Sequence, residues 1–208
     1  MSGVAALDAL ARCLLPPGYG CAVLPLTAEP APLRPEEAEA VTRAVPKRRR
    51  EFALGRMALR AAIREAGHDL PADQPIVARP DRQPDLPQGI RASLSHSGDY
   101  CIAIAAPPGG ASVGIDLEPC ARPLPEGLAE AVMPFRLNDV PFAALLPFCA
   151  KEAMFKAQYP LTGRMLDFRE VPAVIGPTRF RACMGDRLIG GRWGQAAECW
   201  LAISLWRG

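Results

Sequence analysis

Histidine and lysine are scarce in this chain, and their scarcity excludes whole classes of chemistry. Only His68 and His96 occur, neither with a second soft ligand nearby in sequence, so a tetrahedral zinc site finds no support. Lysine occurs at 47, 151 and 156 alone, leaving 21 of the 24 basic residues as arginine. Compositional preference accounts for most of that bias. Against it, two lysines inside one short segment stand out. The formal net charge is only +2, which argues against a broadly basic nucleic-acid binder. The seven cysteines are odd in number and form no CxxC pair. Neither a disulfide framework nor a zinc ribbon is expected, and reduced thiols in the cytoplasm are. Runs of about 18 apolar residues are absent, so no membrane span is expected. The opening MSGVAALDALARCLLPPGYG has no basic start and carries Asp8 and Arg12 within its apolar stretch, unlike a secretory signal.

What is present is ordinary for a globular chain: 208 residues, 50% hydrophobic and 22% charged. That length suits one domain or two small halves and buries about 70% of the unfolded surface without staples. Pro35 with Glu36 and Glu37 reads as the start of a helix to about Ala44, proline at the first position and acids in the first turn. Pro46 opens a second helix ending before Gly67, with Phe52, Leu59, Ile63 and Ala66 at core-facing spacing. Residues 68–90 read as loop. Two strands follow at Arg91–Ser95 and Tyr100–Ala106, joined by a turn at Ser97-Gly98-Asp99. Pro107-Pro108-Gly109-Gly110 divides the chain into halves, 1–108 and 109–208. Ser112–Glu118 reads as a strand, 119–146 as irregular with a short helix near 126–132. A helix from Pro147 should end before Pro160, and the tail holds strand-like runs at Val171–Ile175, Thr178–Met184, Arg187–Gly191 and Cys199–Trp206. The fold class is α+β with antiparallel sheet.

Four constellations carry possible chemistry. In Val113-Gly114-Ile115-Asp116-Leu117-Glu118 the apolar residues share one strand face, and Asp116 and Glu118 share the other. Two neighbouring carboxylates repel unless a cation separates them, and oxygen ligands suit Mg²⁺. A lone DxE on a solvated strand face is common all the same. On either reading Asp116 is an exposed strand carboxylate that adds little stability, so Asp116→Ala is expected to leave the fold intact and, if the metal site is real, to abolish Mg²⁺-dependent activity. In Phe148-Cys149-Ala150-Lys151-Glu152-Ala153-Met154-Phe155-Lys156-Ala157, Glu152 and Lys156 share a helical face, either as a surface ion pair or as a third carboxylate and a cation for the same site. Lys47-Arg48-Arg49-Arg50 places four cations at a helix N-terminus, where the macrodipole disfavours them unless an anion binds. Arg56, Arg60 and Arg64 continue as a basic stripe, which in an arginine-rich chain is also an ordinary solvated face. Ser93-Leu94-Ser95-His96-Ser97 sets a histidine among hydroxyls, a structural histidine or a phosphate donor. No phosphate-binding glycine loop, GxSxG elbow or HExxH helix occurs.

Taken in order, RRREFxxGRxxxR, SLSHS, VGIDLEP and FCAKEAMFKA resemble the 4′-phosphopantetheinyl transferases, of the longer type that activates surfactin and enterobactin synthetases. The likeness runs from about Arg34 to Trp206. It implies a pseudo-dimer of two similar α/β halves, each a small antiparallel sheet packed on a long helix, with coenzyme A in the cleft between them. The implied reaction moves the phosphopantetheine arm of coenzyme A to a serine of an apo acyl or peptidyl carrier protein, releases adenosine 3′,5′-bisphosphate and needs Mg²⁺. Residues 1–108 would bind the coenzyme A phosphates, and 109–208 would bind metal and catalyse.

On this resemblance Asp116, Glu118 and Glu152 are the metal ligands. Glu152 and Lys156 are the catalytic pair, with Lys151 a further candidate against the pyrophosphate. Arg48, Arg56, Arg79, Ser95, His96 and Lys156 bind the cofactor, with Arg49 and Arg60 nearby. Two positions depart from the pattern: Ala78 stands where a basic residue is usual, with Arg79 one later, and Leu86-Pro87 replaces Trp-Pro. Carrier contacts are expected in 119–146. A monomer is expected, with no nucleic-acid or membrane partner. A non-catalytic coenzyme A-binding module and a Mg²⁺-dependent phosphohydrolase are the competing readings.

Overall fold

The computed structural model describes residues 1–121, 125–140 and 145–208. It holds two sheets, each with one long helix against it. In the first, β1 (Gly20–Pro25), β2 (Ala92–Ser97) and β3 (Tyr100–Ala105) lie antiparallel in the order β1-β3-β2. The second holds β4 (Ser112–Pro119), β5 (Phe135–Leu137), β6 (Ala173–Ile175), β7 (Arg179–Met184), β8 (Arg187–Ala196) and β9 (Cys199–Trp206). Its order is β4-β9-β8-β7-β6-β5, antiparallel except for the β5–β6 pair. The α+β class is thus observed, with sheets of unequal size, three strands against six.

Helix α3 (Pro46–Glu65) follows from its sequence: Pro46 pre-sets the first turn, and Phe52, Leu59 and Ile63 are buried, with Ala66 at the cap. Strand β3 alternates between two cores. Cys101, Ala103 and Ala105 pack with Leu59, Ala62 and Ile63. Ile102 and Ile104 pack with Val113, Ile115 and Leu117 of β4 and Leu201 and Ile203 of β9. That second core joins the two sheets. Its third wall is α1 (Gly3–Leu14), which contributes Leu7, Ala11 and Leu14. This helix is not among the elements expected from the sequence. The signals are Ser2, whose hydroxyl accepts from Ala5 N, and the spacing of Leu7, Ala11 and Leu14.

The helix expected from Pro147 departs from expectation. Helix α5 (Leu145–Thr162) contains both Pro147 and Pro160. Pro160 lies in the last turn, where its missing N–H costs one hydrogen bond. Gly163, at φ 64, then closes the end by donating to Tyr159 O at 2.8 Å. Helix α2 (Pro35–Ala40) is shorter than expected, and α4 (Leu128–Ala131) falls where a short helix was expected. Among the described residues no helix is long and apolar enough to cross a membrane.

Two glycines set how closely helix and sheet approach. A Cβ on Gly20 would collide with Ala62 O of α3, and one on Gly114 with Ala153 O of α5. Without side chains there, β1 and β4 lie directly against their helices. This close approach brings α5 side chains within reach of β4.

Candidate active site

The site begins where the two sheets meet edge to edge. Strand β2 runs beside β4, and serine side chains bridge the seam. Ser93 Oγ accepts from Ile115 N at 3.2 Å, and Ser95 Oγ accepts from Leu117 N at 3.3 Å. Ser95 Oγ in turn donates to Asp116 Oδ1 at 2.9 Å. The hydroxyl that the resemblance assigns to the cofactor therefore positions a carboxylate.

Asp116 is where sequence reasoning errs most. Val113, Ile115 and Leu117 do face the core while Asp116 and Glu118 face the other way. Yet Asp116 is buried, not an exposed strand carboxylate, because α5 lies across that face. Lys156 Nζ donates to Asp116 Oδ1 at 2.6 Å and to Ile115 O at 3.1 Å. Asp116 Oδ2 is buried with no hydrogen-bond partner. Burial alone would lower the Lys156 pKa, but Asp116 and Glu152 outweigh it and raise it. Burial raises the Glu152 carboxyl, Asp116 adds to the rise, and Lys156 opposes it. The Glu152 side chain makes no hydrogen bond to a described residue.

These groups form one wall of a cleft of about 980 Å³. Asp116, Glu118, Glu152 and Lys156 come from β4 and α5, with Phe148 and Phe155 beside them; Arg48, Phe52, Arg56, Ser95 and His96 come from α3 and β2. One wall is thus acidic with a single lysine, the other basic and imidazole-bearing.

On the basic wall, Arg56 is buried, its guanidinium carbon 3.9 Å from the Phe52 ring centroid. Its Nε donates to Ile76 O. Burial pulls its pKa down to about 10, and Arg60 and Arg48 push the same way while Glu37 resists. Among the described residues no carboxylate forms an ion pair with it, so an arriving anion would relieve a buried cation that lacks a counter-charge. Arg48 Nη1 lies 3.1 Å from His96 Nε2 and 3.5 Å from a Glu51 carboxylate oxygen. A guanidinium only donates, so Nε2 accepts and the ring is neutral. Burial depresses the His96 pKa, with the Arg48 and Lys156 charges contributing.

The basic run divides by contact. Only Arg48 reaches the cleft; Arg49 donates to Ala44 O and Thr42 O, and Arg50 to Leu26 O, Thr27 O and Ala28 O. These two hold preceding loops, and no anion is needed to explain them. The stripe divides too. Arg60 pairs with buried Glu37 at 2.6 Å, and Arg64 is exposed. Lys151 does not face the cleft. Its Nζ donates to Pro134 O at 3.1 Å and Phe168 O at 2.6 Å, so it clamps two segments and cannot serve as the second pyrophosphate lysine. Arg79 also lies outside this cleft: it lines a neighbouring pocket and faces Asp85 at 3.2 Å.

A sequence model of the 4′-phosphopantetheinyl transferase N-terminal domain matches residues 36–106, from α2 through β3. The chain is 39% identical over 176 residues to the 4′-phosphopantetheinyl transferase Svp of Streptomyces mobaraensis, covering 77% of this chain and 70% of that one. The chain belongs to the 4′-phosphopantetheinyl transferases. Similar matches join it to PptT of Mycobacterium tuberculosis, 40% over 145 residues, with 65% and 62% covered. Npt of Nocardia iowensis is 37% identical over 167 residues, with 76% and 72% covered. In this transferase the cleft also holds groups that sequence reasoning passed over: Glu51, Phe148, Phe155 and the turn residues Asp81, Arg82 and Gln83. Glu51, Phe148 and Phe155 lie inside the quoted motifs, with no role assigned to them there. The turn carries no such signal. Of the expected carrier-contact segment, 122–124 and 141–144 lie outside the described residues.

Proposed function

We propose that this transferase moves the 4′-phosphopantetheine arm of coenzyme A to a serine of an apo acyl or peptidyl carrier protein and releases adenosine 3′,5′-bisphosphate. The observation that carries this is the single cleft with a basic wall from residues 1–108 facing a carboxylate–lysine wall from 109–208. The substrate has the matching layout: phosphates to be held and one phosphorus to be attacked. One chain supplies both walls, which supports the longer, surfactin- and enterobactin-activating type acting as a monomer. Seven free cysteines fit the reducing cytoplasm.

The donors fit an oxygen-ligated cation in part. Asp116, Glu118 and Glu152 are hard ligands, and the orphaned Asp116 Oδ2 is an acceptor awaiting a partner. Against a preformed cage, Lys156 occupies Asp116 Oδ1, and no group of three His, Cys, Asp or Glu converges on one point among the described residues. We therefore assign Asp116 and Glu152, with Glu118, as the residues that would hold Mg²⁺ together with the pyrophosphate. When bound, that ion supplies charge neutralisation on the phosphates.

The chain's own groups supply the rest. Arg48, Arg56 and His96 hold and orient the coenzyme A phosphates. Glu152, with its raised pKa, accepts the proton of the carrier serine as its oxygen attacks the phosphorus bearing the pantetheine arm. The bond from that phosphorus to the bridging oxygen breaks, and the electron pair leaves on the bisphosphate. Lys156 meets the charge on the pyrophosphate and its increase on the departing oxygen.

Incubating the full chain with coenzyme A and an apo carrier protein tests the reading by intact-mass spectrometry. One phosphopantetheine group should be added to the carrier with Mg²⁺ and none with chelator. Free phosphopantetheine with an unmodified carrier would instead establish a hydrolase, and binding without turnover a non-catalytic module.

A further inference from the structure

Ile76 is fully buried and belongs to no helix or strand, so its backbone N–H and C=O need partners from elsewhere. Both partners are charged side chains. Glu37 Oε1 accepts from Ile76 N at 2.7 Å, and Arg56 Nε donates to Ile76 O. One buried residue thus joins a carboxylate of α2 to an arginine on the basic wall of the cleft.

Capping explains only part of Glu37. Its Oε2 accepts from Arg34 N at 3.0 Å and closes the start of α2. A first-turn acid can do this at the surface, yet Glu37 is fully buried. Its other oxygen, Oε1, holds Ile76 N and also Arg60 Nη2, the latter at 2.6 Å. Burial alone would raise the Glu37 pKa, but the Ile76 and Arg34 N–H groups and Arg60 outweigh it and lower it. A buried ion pair contributes little net stability over apolar residues of the same size. What this one supplies is a fixed acceptor for Ile76 N, and Ile76 O in turn fixes Arg56 against the Phe52 ring.

We propose that Glu37 is a positioning residue for coenzyme A binding, which acts through the Ile76 backbone to hold Arg56 towards a phosphate of the ligand; this role rests on the transferase reading above. Charge and geometry act here with opposite signs. As a charge, Glu37 favours the Arg56 cation and repels an anion, so its loss should tighten coenzyme A. As an anchor, its loss frees Ile76, lets Arg56 turn from the cleft and should weaken coenzyme A.

The test measures KM for coenzyme A, kcat and Tm on variants of the full chain with an apo carrier protein. Glu37→Met removes both charge and acceptor, and should raise KM about five- to tenfold while kcat at saturating coenzyme A holds. Glu37→Gln keeps an amide oxygen for Ile76 N, so its KM should lie between wild type and Glu37→Met although it too strands Arg60. Glu37→Met with Arg60→Met removes the stranded cation; it should melt above Glu37→Met and keep the KM penalty. If Glu37→Met alone does not fold, this double variant carries the comparison. In an Arg56→Ala background, Glu37→Met should add no further penalty. An unchanged or lowered KM in Glu37→Met would overturn the proposal. So would a KM that recovers together with Tm in the double variant, which would trace the effect to a loosened fold. A full extra penalty on top of Arg56→Ala would overturn it as well, since Glu37 would then act without Arg56. Failure of the wild-type chain to modify a carrier would instead overturn the transferase reading.

Discussion

Replacing Asp116 with alanine should destabilise this protein as well as inactivate it, and the size of the effect follows from three contacts. Asp116 Oδ1 holds Lys156 Nζ at 2.6 Å and Ser95 Oγ at 2.9 Å, and the Asp116 side chain is 6% exposed against 27% for Lys156. Removing one partner of a buried pair costs about 3–5 kcal/mol. Here the ammonium keeps Ile115 O as an acceptor and some access to water, so a lower figure of about 2–3 kcal/mol is expected. At about 2–4 °C per kcal/mol for a chain of this size, Tm should fall by about 4–12 °C. The double variant Asp116→Ala with Lys156→Met removes the stranded charge and should recover much of the loss. Circular dichroism melts at neutral pH, without metal or coenzyme A, measure all four corners of the cycle. The pH dependence has a fixed sign. Lys156 titrates above its ordinary 10.5 in the folded state, so its contribution is complete below that pH and is lost as pH rises through the higher folded value. The gap between wild type and Asp116→Ala should therefore be flat near neutrality and close in strong base. An unchanged Tm in Asp116→Ala, or no recovery in the double variant, would refute the pair as an energetic unit.

Further outcomes follow from the same contacts. Glu152→Gln should lower kcat about 10²–10⁴-fold. The acid limb of the wild-type pH–rate profile should lie above the ordinary carboxylate value of 4.5, because burial raises Glu152, and the variant should lack that limb. Arg48→Ala and Arg56→Ala should each weaken coenzyme A binding by about 1.5–3 kcal/mol, with a smaller loss for dephospho-coenzyme A; equal losses for both ligands would remove these arginines from the 3′-phosphate. Lys151 should leave a signature in stability and none in coenzyme A affinity. Burial lowers its pKa from 10.5 to about 8, so the folded state binds fewer protons between those values and stability should rise with pH across that window. Urea midpoints below pH 8 and above pH 10 should show the rise in wild type and not in Lys151→Met.

Local pattern determined most of the element list. Proline at helix starts, glycine at turns and strict alternation in β4 act over a few residues, so α3, β2, β3, β4 and β7 to β9 could be placed from sequence. The same locality identified Asp116, Glu118, Glu152 and Lys156 as sharing faces. Tertiary structure alone decided what those faces meet. Arg48, Arg49 and Arg50 are consecutive cations, yet one faces the cleft and two hold carbonyls. Arg56 and Arg60 stand four apart, yet one is unpaired and the other answers Glu37, 23 positions away. Lys151 and Lys156 lie on one helix but face different neighbours. Asp116 is buried only because Gly114 lets α5 close over β4 and bring a lysine from 40 positions away. A charge's role depends on which acceptor lies within about 3 Å of it, and that distance is set by packing between elements remote in the chain.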